Sequence, residues 1–327
     1  MIQPRRRQLL LAGLASPALA LAQSGPKSRM VVLYPGDSEE DEPATRYFFE
    51  ELRRRGWIEG STISFQRLSG RGARRYLEQV ATEASGHEPA LVFATTGSLA
   101  QAVMKDNPAL PVVFLSAIDP VSSGLVDTHA VPGRSATGVH QLSAPDAQVR
   151  TLEIVREIDP SVRRIGVFFD RHAAEFEAQK QAWQDASAKA GIELRLGEFQ
   201  NFEAVHRLMV EFRKDNLAFA AIPPSLTMLA RRREVVSAAT RNRIALVARR
   251  SEWPEAGALF SYGTEVAESQ RRAAAIADRI LRGAKPAQIP VERTMKQELV
   301  LNAKTARAMG FTLPRSVLLR ADRLVDA

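Results

Sequence analysis

The chain repeats its own order of strands and helices, and this repeat restricts its fold more than any other feature of the sequence. The elements that recur about 130 residues apart are strands at 30–34 and 164–169, helices over 43–55 and 174–190, and strands at 90–94 and 217–221 and at 111–114 and 244–247. Gly56 and Gly191 end the two helices, as a C-terminal glycine does. Short apolar runs that alternate with helices are typical of a parallel α/β sheet. The sequence therefore predicts an α/β protein with two Rossmann-like lobes.

The join between the lobes is predicted near residues 137–139, after a turn that contains Pro and Gly. Residues 29–138 then form lobe 1, and residues 139–262 form lobe 2. The segment 263–327 has no counterpart in the repeat, and its helix over 265–282 is amphipathic. We expect this segment to be shared between the lobes and to form part of a hinge.

Residues 1–22 have the form of a secretory signal peptide. Arg5, Arg6 and Arg7 precede an apolar run that is shorter than the roughly 20 residues of a membrane-spanning helix. The run ends in small residues, at Ala20 and Ala22. The arginines also resemble a twin-arginine export motif; an ordinary signal peptide and an uncleaved anchor are the alternatives. We expect the mature chain in the periplasm.

Composition narrows the class of protein further. The chain has no cysteine, which excludes disulfides, cysteine-ligated metals and a lipidated cysteine. Its formal charge is +8, but the arginine runs at 53–55 and 231–233 lie on helices that also carry acidic residues. Such runs are typical of solvated helix faces, so no nucleic-acid partner is expected. No later apolar run is long enough to cross a membrane, and we expect a monomer.

One loop carries the strongest signal for ligand binding. In two facing lobes, the carboxyl ends of the parallel strands line a cleft that closes on a ligand. The strand at 90–94 is followed by Thr95, Thr96, Gly97 and Ser98, which open a helix. Hydroxyl groups and free N–H groups at a helix start favour a carboxylate. A helix cap without a ligand is the alternative.

The other strand ends supply further candidates for ligand contact. In lobe 1 they are Tyr34, Gly36 and Asp37 after the first strand and Asp119 before Pro120; in lobe 2 they are Asp170, Ser225, Glu252 and Tyr262. The Asp119 carboxylate could receive a ligand ammonium or cap its own turn. The aromatic side chains could form a wall of the pocket or pack in the core.

Catalytic and cofactor motifs are missing from the sequence. Its five histidines show no HExxH or other paired metal spacing. No GxSxG elbow, GxGxxG loop or Walker A motif follows a strand. We therefore predict a binding protein that is not an enzyme, with no cofactor and no metal.

The chain resembles the ABC transporter substrate-binding proteins of the type I periplasmic class, in the group that includes tryptophan- and tyrosine-type binding proteins. Segments that carry the resemblance include Phe49-Glu50-Glu51-Leu52, Gly56-Trp57-Ile58-Glu59-Gly60, Asp119-Pro120-Val121, Ser123-Gly124-Leu125-Val126, Ser261-Tyr262-Gly263, Ile289-Pro290-Val291-Glu292 and Leu299-Val300-Leu301-Asn302. Each is weak alone, but their order and spacing are specific.

The resemblance implies a Venus-flytrap receptor that closes on a small solute, an amino acid or a related carboxylate, and delivers it to an ABC permease in the inner membrane. It also implies that the loop from Thr95 to Ser98 holds the carboxylate, and that Asp119 and the loop after Tyr34 line the same wall. A sensor of the same fold and an exported enzyme remain as alternatives.

The chain departs from the family pattern at strand ends. Thr-Thr-Gly-Ser at 95–98 replaces a loop that commonly resembles Ser-Gly-Thr-Pro, Asp170-Arg171 stands where Asn-Pro is frequent, and Pro223-Pro224 stands where Asp-Pro is usual. Because these positions face the expected cleft, the resemblance predicts the scaffold of this protein but not the identity of its ligand.

Overall fold

The computed structural model describes residues 28–36, 44–71, 76–142, 144, 146–173 and 176–325. The predicted signal peptide and the candidate Asp37 lie outside the described residues. Within these ranges, no helix is both long and apolar enough to cross a membrane.

The first half of the chain builds a parallel sheet flanked by helices. Its strands are β1 (Ser28–Tyr34), β2 (Ile63–Ser69), β3 (Leu91–Ala94), β4 (Val112–Ser116) and β5 (Ala136–Gln141), and its helices are α1 (Thr45–Arg54), α2 (Leu77–Gly86) and α3 (Gly97–Asp106). These strands lie side by side in the order β2-β1-β3-β4-β5. This is the order of a doubly wound α/β sheet.

The second half builds an equivalent sheet. Its strands are β6 (Arg164–Asp170), β7 (Glu193–Phe199), β8 (Phe219–Ala221), β9 (Ala245–Ala248) and β10 (Phe260–Thr264), and its helices are α4 (Ala147–Ile158), α5 (Phe176–Ala190), α6 (Phe202–Lys214), α7 (Leu226–Ala230), α8 (Arg232–Arg241) and α9 (Glu252–Glu255). The order β7-β6-β8-β9-β10 repeats that of the first sheet. The prediction of two similar α/β lobes is confirmed.

The C-terminal segment contributes to both sheets. It contains α10 (Val266–Leu281), β11 (Glu292–Thr294), β12 (Gln297–Asn302), α11 (Ala303–Met309), α12 (Arg315–Arg320) and β13 (Arg323–Val325). Helix α10 packs against α1 and the first sheet, and β11 pairs with β5. Strand β12 pairs antiparallel with β10 in the second sheet, and β13 continues that sheet.

Three segments of chain meet where the two sheets adjoin. The Thr264 hydroxyl donates a hydrogen bond of 2.6 Å to the Leu142 carbonyl, which also accepts one of 3.0 Å from the Gln297 side chain. The Glu265 amide donates to the Lys296 carbonyl. Strand β5 continues to Gln141, so the chain leaves the first sheet later than the predicted join at residues 137–139.

Both faces of each sheet are covered, which explains the continuous apolar runs of the strands. On β1, Val31 and Leu33 pack into one cluster and Met30 and Val32 into the cluster on the opposite face, all fully buried. A strand with two buried faces reads as an uninterrupted apolar run, as in parallel sheets generally. The predicted helix stops at Gly56 and Gly191 hold φ values of +92° and +62°, a region that favours glycine.

Candidate functional site

A cleft of about 870 Å³ lies between the two sheets at the carboxyl ends of their strands. Its wall on the first sheet follows β3 and β4 and includes the start of α3. Its wall on the second sheet follows β6, β8 and β9. Six of the residues predicted from the sequence line this cleft: Thr95, Thr96, Gly97, Ser98, Asp170 and Ser225.

The first wall is built around the N-terminus of α3. Thr96 caps the helix, with its side-chain oxygen 3.4 Å from the Leu99 amide. The buried Thr95 hydroxyl donates a 3.0 Å hydrogen bond to the Leu33 carbonyl, which ties the loop to β1. The N–H groups of a first helical turn have no partner within the helix, and the helix dipole favours an anion there. This wall therefore offers backbone N–H donors to an anion, and the first two belong to Gly97 and Ser98.

The second wall holds a carboxylate in a fixed position. Asp170, at the end of β6, is 5% exposed and accepts hydrogen bonds from the Ser225 hydroxyl at 2.7 Å and the His172 amide at 3.0 Å. Ser225 also caps α7, because its oxygen accepts from the Met228 amide. The two strand ends are thus joined by one hydroxyl group.

Arg249 is a charged residue of the cleft that the sequence did not predict. It directly follows β9 and lines the cleft. Its Nε is buried and has no hydrogen-bond partner among the described residues. Burial lowers the pKa of the Arg249 guanidinium to about 10, so the group stays charged at neutral pH. The rule that placed the other candidates, position immediately after a strand, also applies to residue 249.

The neighbouring arginine is already paired, in contrast to Arg249. Arg250 forms an ion pair with Glu252, which is 1% exposed. Burial opposes ionisation of Glu252, but the charge and hydrogen bond of Arg250 outweigh it and hold the pKa of Glu252 below its ordinary value. Arg250 therefore has its counter-ion within the protein. Among the described residues, no carboxylate takes that role for Arg249.

Five predicted residues do not line the cleft. Tyr34 is the last residue of β1 and is buried in the core, and the Gly36 carbonyl accepts a hydrogen bond of 2.6 Å from the Ser69 hydroxyl. Glu252 lies against Arg250, and Tyr262 is partly buried against the core of the second sheet. Asp119 accepts from the Val121 amide at 2.7 Å, which is the turn-capping alternative. A role in ligand contact stays a prediction for these residues.

The fold and the cleft define a class: a two-lobed protein with the type I periplasmic binding protein fold and a cleft between the lobes. The family model described as ABC transporter substrate binding protein matches residues 43–325, which is most of the chain. The chain belongs to this family. The family consists of solute-binding proteins rather than enzymes.

Individual relatives agree with this assignment. A tyrosine-binding protein of Clostridioides difficile (strain R20291) is 22% identical over 277 residues, which cover 82% of this chain and 76% of the relative. A conserved domain protein from Vibrio cholerae matches with a TM-score of 0.80 and 22% identity over 92% of this chain and 100% of its own. The ABC domain of a Streptococcus pneumonia protein in complex with L-Trp matches with a TM-score of 0.79 and 19% identity over the same shares. At this identity the two structures show a common fold.

Proposed function

We propose that this chain is the solute-binding component of an ABC importer and that it captures a small organic carboxylate, in particular an amino acid. Residues 1–22 would export it to the periplasm, where it would act as a monomer and deliver its ligand to the permease of the inner membrane. The family supports the importer role, and the named ligands of two relatives, tyrosine and L-Trp, support an aromatic amino acid.

The observation that carries the ligand class is the charge of Arg249, for which the described residues supply no carboxylate partner. A partly buried charge that lacks a counter-ion is costly, so a site of this kind favours an anion from outside the protein. Guanidinium groups bind carboxylates through two parallel hydrogen bonds. Arg249 lies on the second lobe, and the anion-binding start of α3 lies on the first. A carboxylate between them would contact both lobes.

Contact with both lobes explains how such a ligand would favour the closed form. A ligand shifts a conformational equilibrium only by its difference in affinity for the two states. A carboxylate held by one lobe alone gives no such difference, whereas one shared by Arg249 and the first turn of α3 does. The three segments that meet at Leu142, Thr264 and Lys296 are the proposed hinge.

A thermal-shift screen of the mature protein tests the ligand class. The panel pairs each carboxylate with an analogue that lacks it: tryptophan with tryptamine, tyrosine with tyramine, and branched-chain amino acids with the corresponding amines. At a concentration 100 times the Kd, a ligand stabilises the folded protein by about 2.7 kcal/mol. We expect the acids to raise the Tm and the amines to leave it unchanged. Equal shifts from acid and amine, or no shift from any acid, would refute the proposal.

A variant of Arg249 tests whether the ligand binds within the cleft. Arg249→Gln removes the charge that we assign to the carboxylate, and Arg279→Gln removes an exposed arginine of α10 as a matched control. We expect Arg249→Gln to weaken binding of the best acid by about 100-fold, since a charge-assisted hydrogen bond contributes roughly 1.5–3 kcal/mol. The importer role is tested separately, by uptake of that acid in cells with and without the protein. Uptake that does not depend on the protein would favour a sensor.

A further inference from the structure

Three side chains from separate segments converge behind the first wall of the cleft. Asp119 follows β4, His129 lies in the connection between β4 and β5, and His140 lies near the end of β5. One nitrogen of each imidazole and one oxygen of Asp119 all lie within 4.8 Å of one another. The sequence gives little sign of this cluster, because the parallel sheet brings together residues that are far apart in the chain.

The geometry of the cluster fits a tetrahedral metal ion. The Nε2 of His129 and Oδ1 of Asp119 are 3.3 Å apart. Two ligands at about 2.0–2.2 Å from a Zn²⁺ ion, at the tetrahedral angle, are separated by roughly 3.3–3.5 Å. The third ligand atom, on His140, needs to approach by at most about 1.5 Å to complete a set of three.

One ring nitrogen of each histidine is buried without a hydrogen bond to the described residues. These atoms are Nε2 of His129 and Nδ1 of His140. The two rings are parallel, with centroids 5.8 Å apart, and His140 is only 7% exposed. Buried polar atoms are normally hydrogen-bonded, but neither of these nitrogens is, and their shared neighbour Asp119, 3.3 Å from His129 Nε2, is itself a metal-ligand type, which points to an absent partner. A cation that accepts nitrogen lone pairs would satisfy both.

We propose that Asp119, His129 and His140 form a binding site for a divalent transition-metal ion, with Zn²⁺ as the best fit. Two imidazoles and one carboxylate suit Zn²⁺, whereas Mg²⁺ and Ca²⁺ prefer oxygen ligands throughout. The Asp119 side chain is 45% exposed, which leaves the fourth position to water and provides an entry path. In the described part of the chain, Arg293 opposes a cation here: it is exposed and stands opposite His140 in the register of β11 and β5.

The site would be separate from the ligand cleft. The neighbouring residues Ile118 and Gln141 line the cleft, but Asp119 and His140 do not. The main chain already fixes two of the proposed ligands: the Val291 amide donates to the His129 carbonyl, and Asp119 accepts from the Val121 amide through its side chain. A bound ion would join the ends of β4 and β5 next to the crossing at Leu142. We therefore expect the metal to stabilise the first lobe without occupying the solute site.

Titration calorimetry of the untagged mature protein, stripped of metal with EDTA and then given ZnCl₂, tests the site. The variants His129→Gln, His140→Gln and Asp119→Asn each remove one ligand; the last keeps an oxygen for the Val121 amide. His206→Gln, at an exposed position on α6, is the matched control. We expect one Zn²⁺ per chain and a Kd raised about 100-fold or more in each cluster variant, because even changes to outer-shell residues cost 10–100-fold. The control should bind as the unaltered protein does.

A second measurement does not depend on the folding of the variants. Co²⁺ added to the metal-free unaltered protein should produce the intense visible absorption of a four-coordinate cobalt–imidazole site, and Zn²⁺ should abolish it. Zn²⁺ should also raise the Tm of the unaltered protein, whereas Mg²⁺ should not. The proposal is overturned if the unaltered protein binds no Zn²⁺ at millimolar concentration. It is also overturned if all three cluster variants bind Zn²⁺ as tightly as the His206→Gln control.

Discussion

The Ser225 hydroxyl donates a hydrogen bond of 2.7 Å to Oδ2 of Asp170, and this bond joins two strand ends in the second lobe. The same oxygen accepts from the Met228 amide at the start of α7. One side chain therefore caps a helix and orients a buried carboxylate at the wall of the cleft. Its loss should affect both the stability of the lobe and the shape of the site.

Ser225→Ala should lower the free energy of unfolding by about 1–2 kcal/mol, since it removes a helix cap and a hydrogen bond to a carboxylate. Ser225→Thr keeps the hydroxyl and should recover most of that loss. The exposed Ser237 of α8, whose hydroxyl accepts from Arg241, gives the control Ser237→Ala. Urea denaturation of the variants measures the difference. If Ser225→Ala and Ser237→Ala cost the same, the link to Asp170 contributes nothing.

Gly97→Ala should disturb the first wall of the cleft. A Cβ atom at residue 97 would lie 2.9 Å from the Ser116 hydroxyl oxygen, which is held by hydrogen bonds to Ile118. Relief of the clash must move the turn that follows β4. At Gly86, near the end of α2, a Cβ meets nothing within 4 Å, so Gly86→Ala is the matched control.

We expect Gly97→Ala to lower the free energy of unfolding by about 1–3 kcal/mol, as overpacking does, and Gly86→Ala to change it by less than about 0.5 kcal/mol. The double variant Gly97→Ala with Ser116→Ala removes the clashing oxygen. It should be no less stable than Ser116→Ala alone, because the two changes share one contact. Strict additivity of the two losses, measured by urea denaturation, would show that the contact is not the cause.

The start of α3 should contribute to ligand affinity more than to stability. Thr96→Val together with Ser98→Ala removes two hydroxyls that line the cleft. For a carboxylate ligand found by the thermal-shift screen, calorimetry should show affinity reduced by about 10-fold to 100-fold, at roughly 1 kcal/mol per hydrogen bond. Loss of the Thr96 cap should also lower the free energy of unfolding by ~1 kcal/mol. An unchanged Kd for the double variant would exclude this loop from the ligand site.

The sequence allows the architecture to be predicted because the central strands of the parallel sheets, such as β3, β4 and β9, are short and fully buried apolar runs. The recurrence of strands, helices and helix-ending glycines about 130 residues apart, which includes β1 with β6 and α1 with α5, predicted the two lobes. The rule that ligands bind at strand ends also identified six residues of the cleft. These signals are local, since each depends on one segment and its neighbours.

What the sequence could not supply depends on contacts between distant segments. Arg249 and Arg250 look alike in the sequence, and only the position of Glu252 shows which of them has a counter-ion within the described part of the chain. Asp119 was predicted at the ligand wall, whereas the fold places it beside His129 and His140. Whether a strand-end side chain faces the cleft or the core depends on strand register and twist, which a single sequence does not determine.

The contact between α1 and α10 should make stability depend on pH. Asp278 of α10 accepts a hydrogen bond of 2.8 Å from the Trp57 indole and one of 2.7 Å from Arg282. Burial opposes ionisation of Asp278, but these two hydrogen bonds and the charges of Arg282 and Arg55 outweigh it and hold the pKa of Asp278 below its ordinary value. The ionised form is therefore favoured by folding.

Asp278→Asn should lower the free energy of unfolding at pH 7 by about 1.5–3 kcal/mol, the range for hydrogen bonds to a charged group. Because the pKa of Asp278 is lowered on folding, its contribution is complete above the unfolded value of about 3.9 and is lost as the pH falls through the lower folded value. Urea denaturation between about pH 7 and pH 3 should show the difference from the unaltered protein narrowing below about pH 4. Asp185→Asn, at an exposed site on α5, should show no such difference at neutral pH. If the difference in the free energy of unfolding between Asp278→Asn and the unaltered protein stays constant down to pH 3, the charge of Asp278 does not stabilise the contact between the helices.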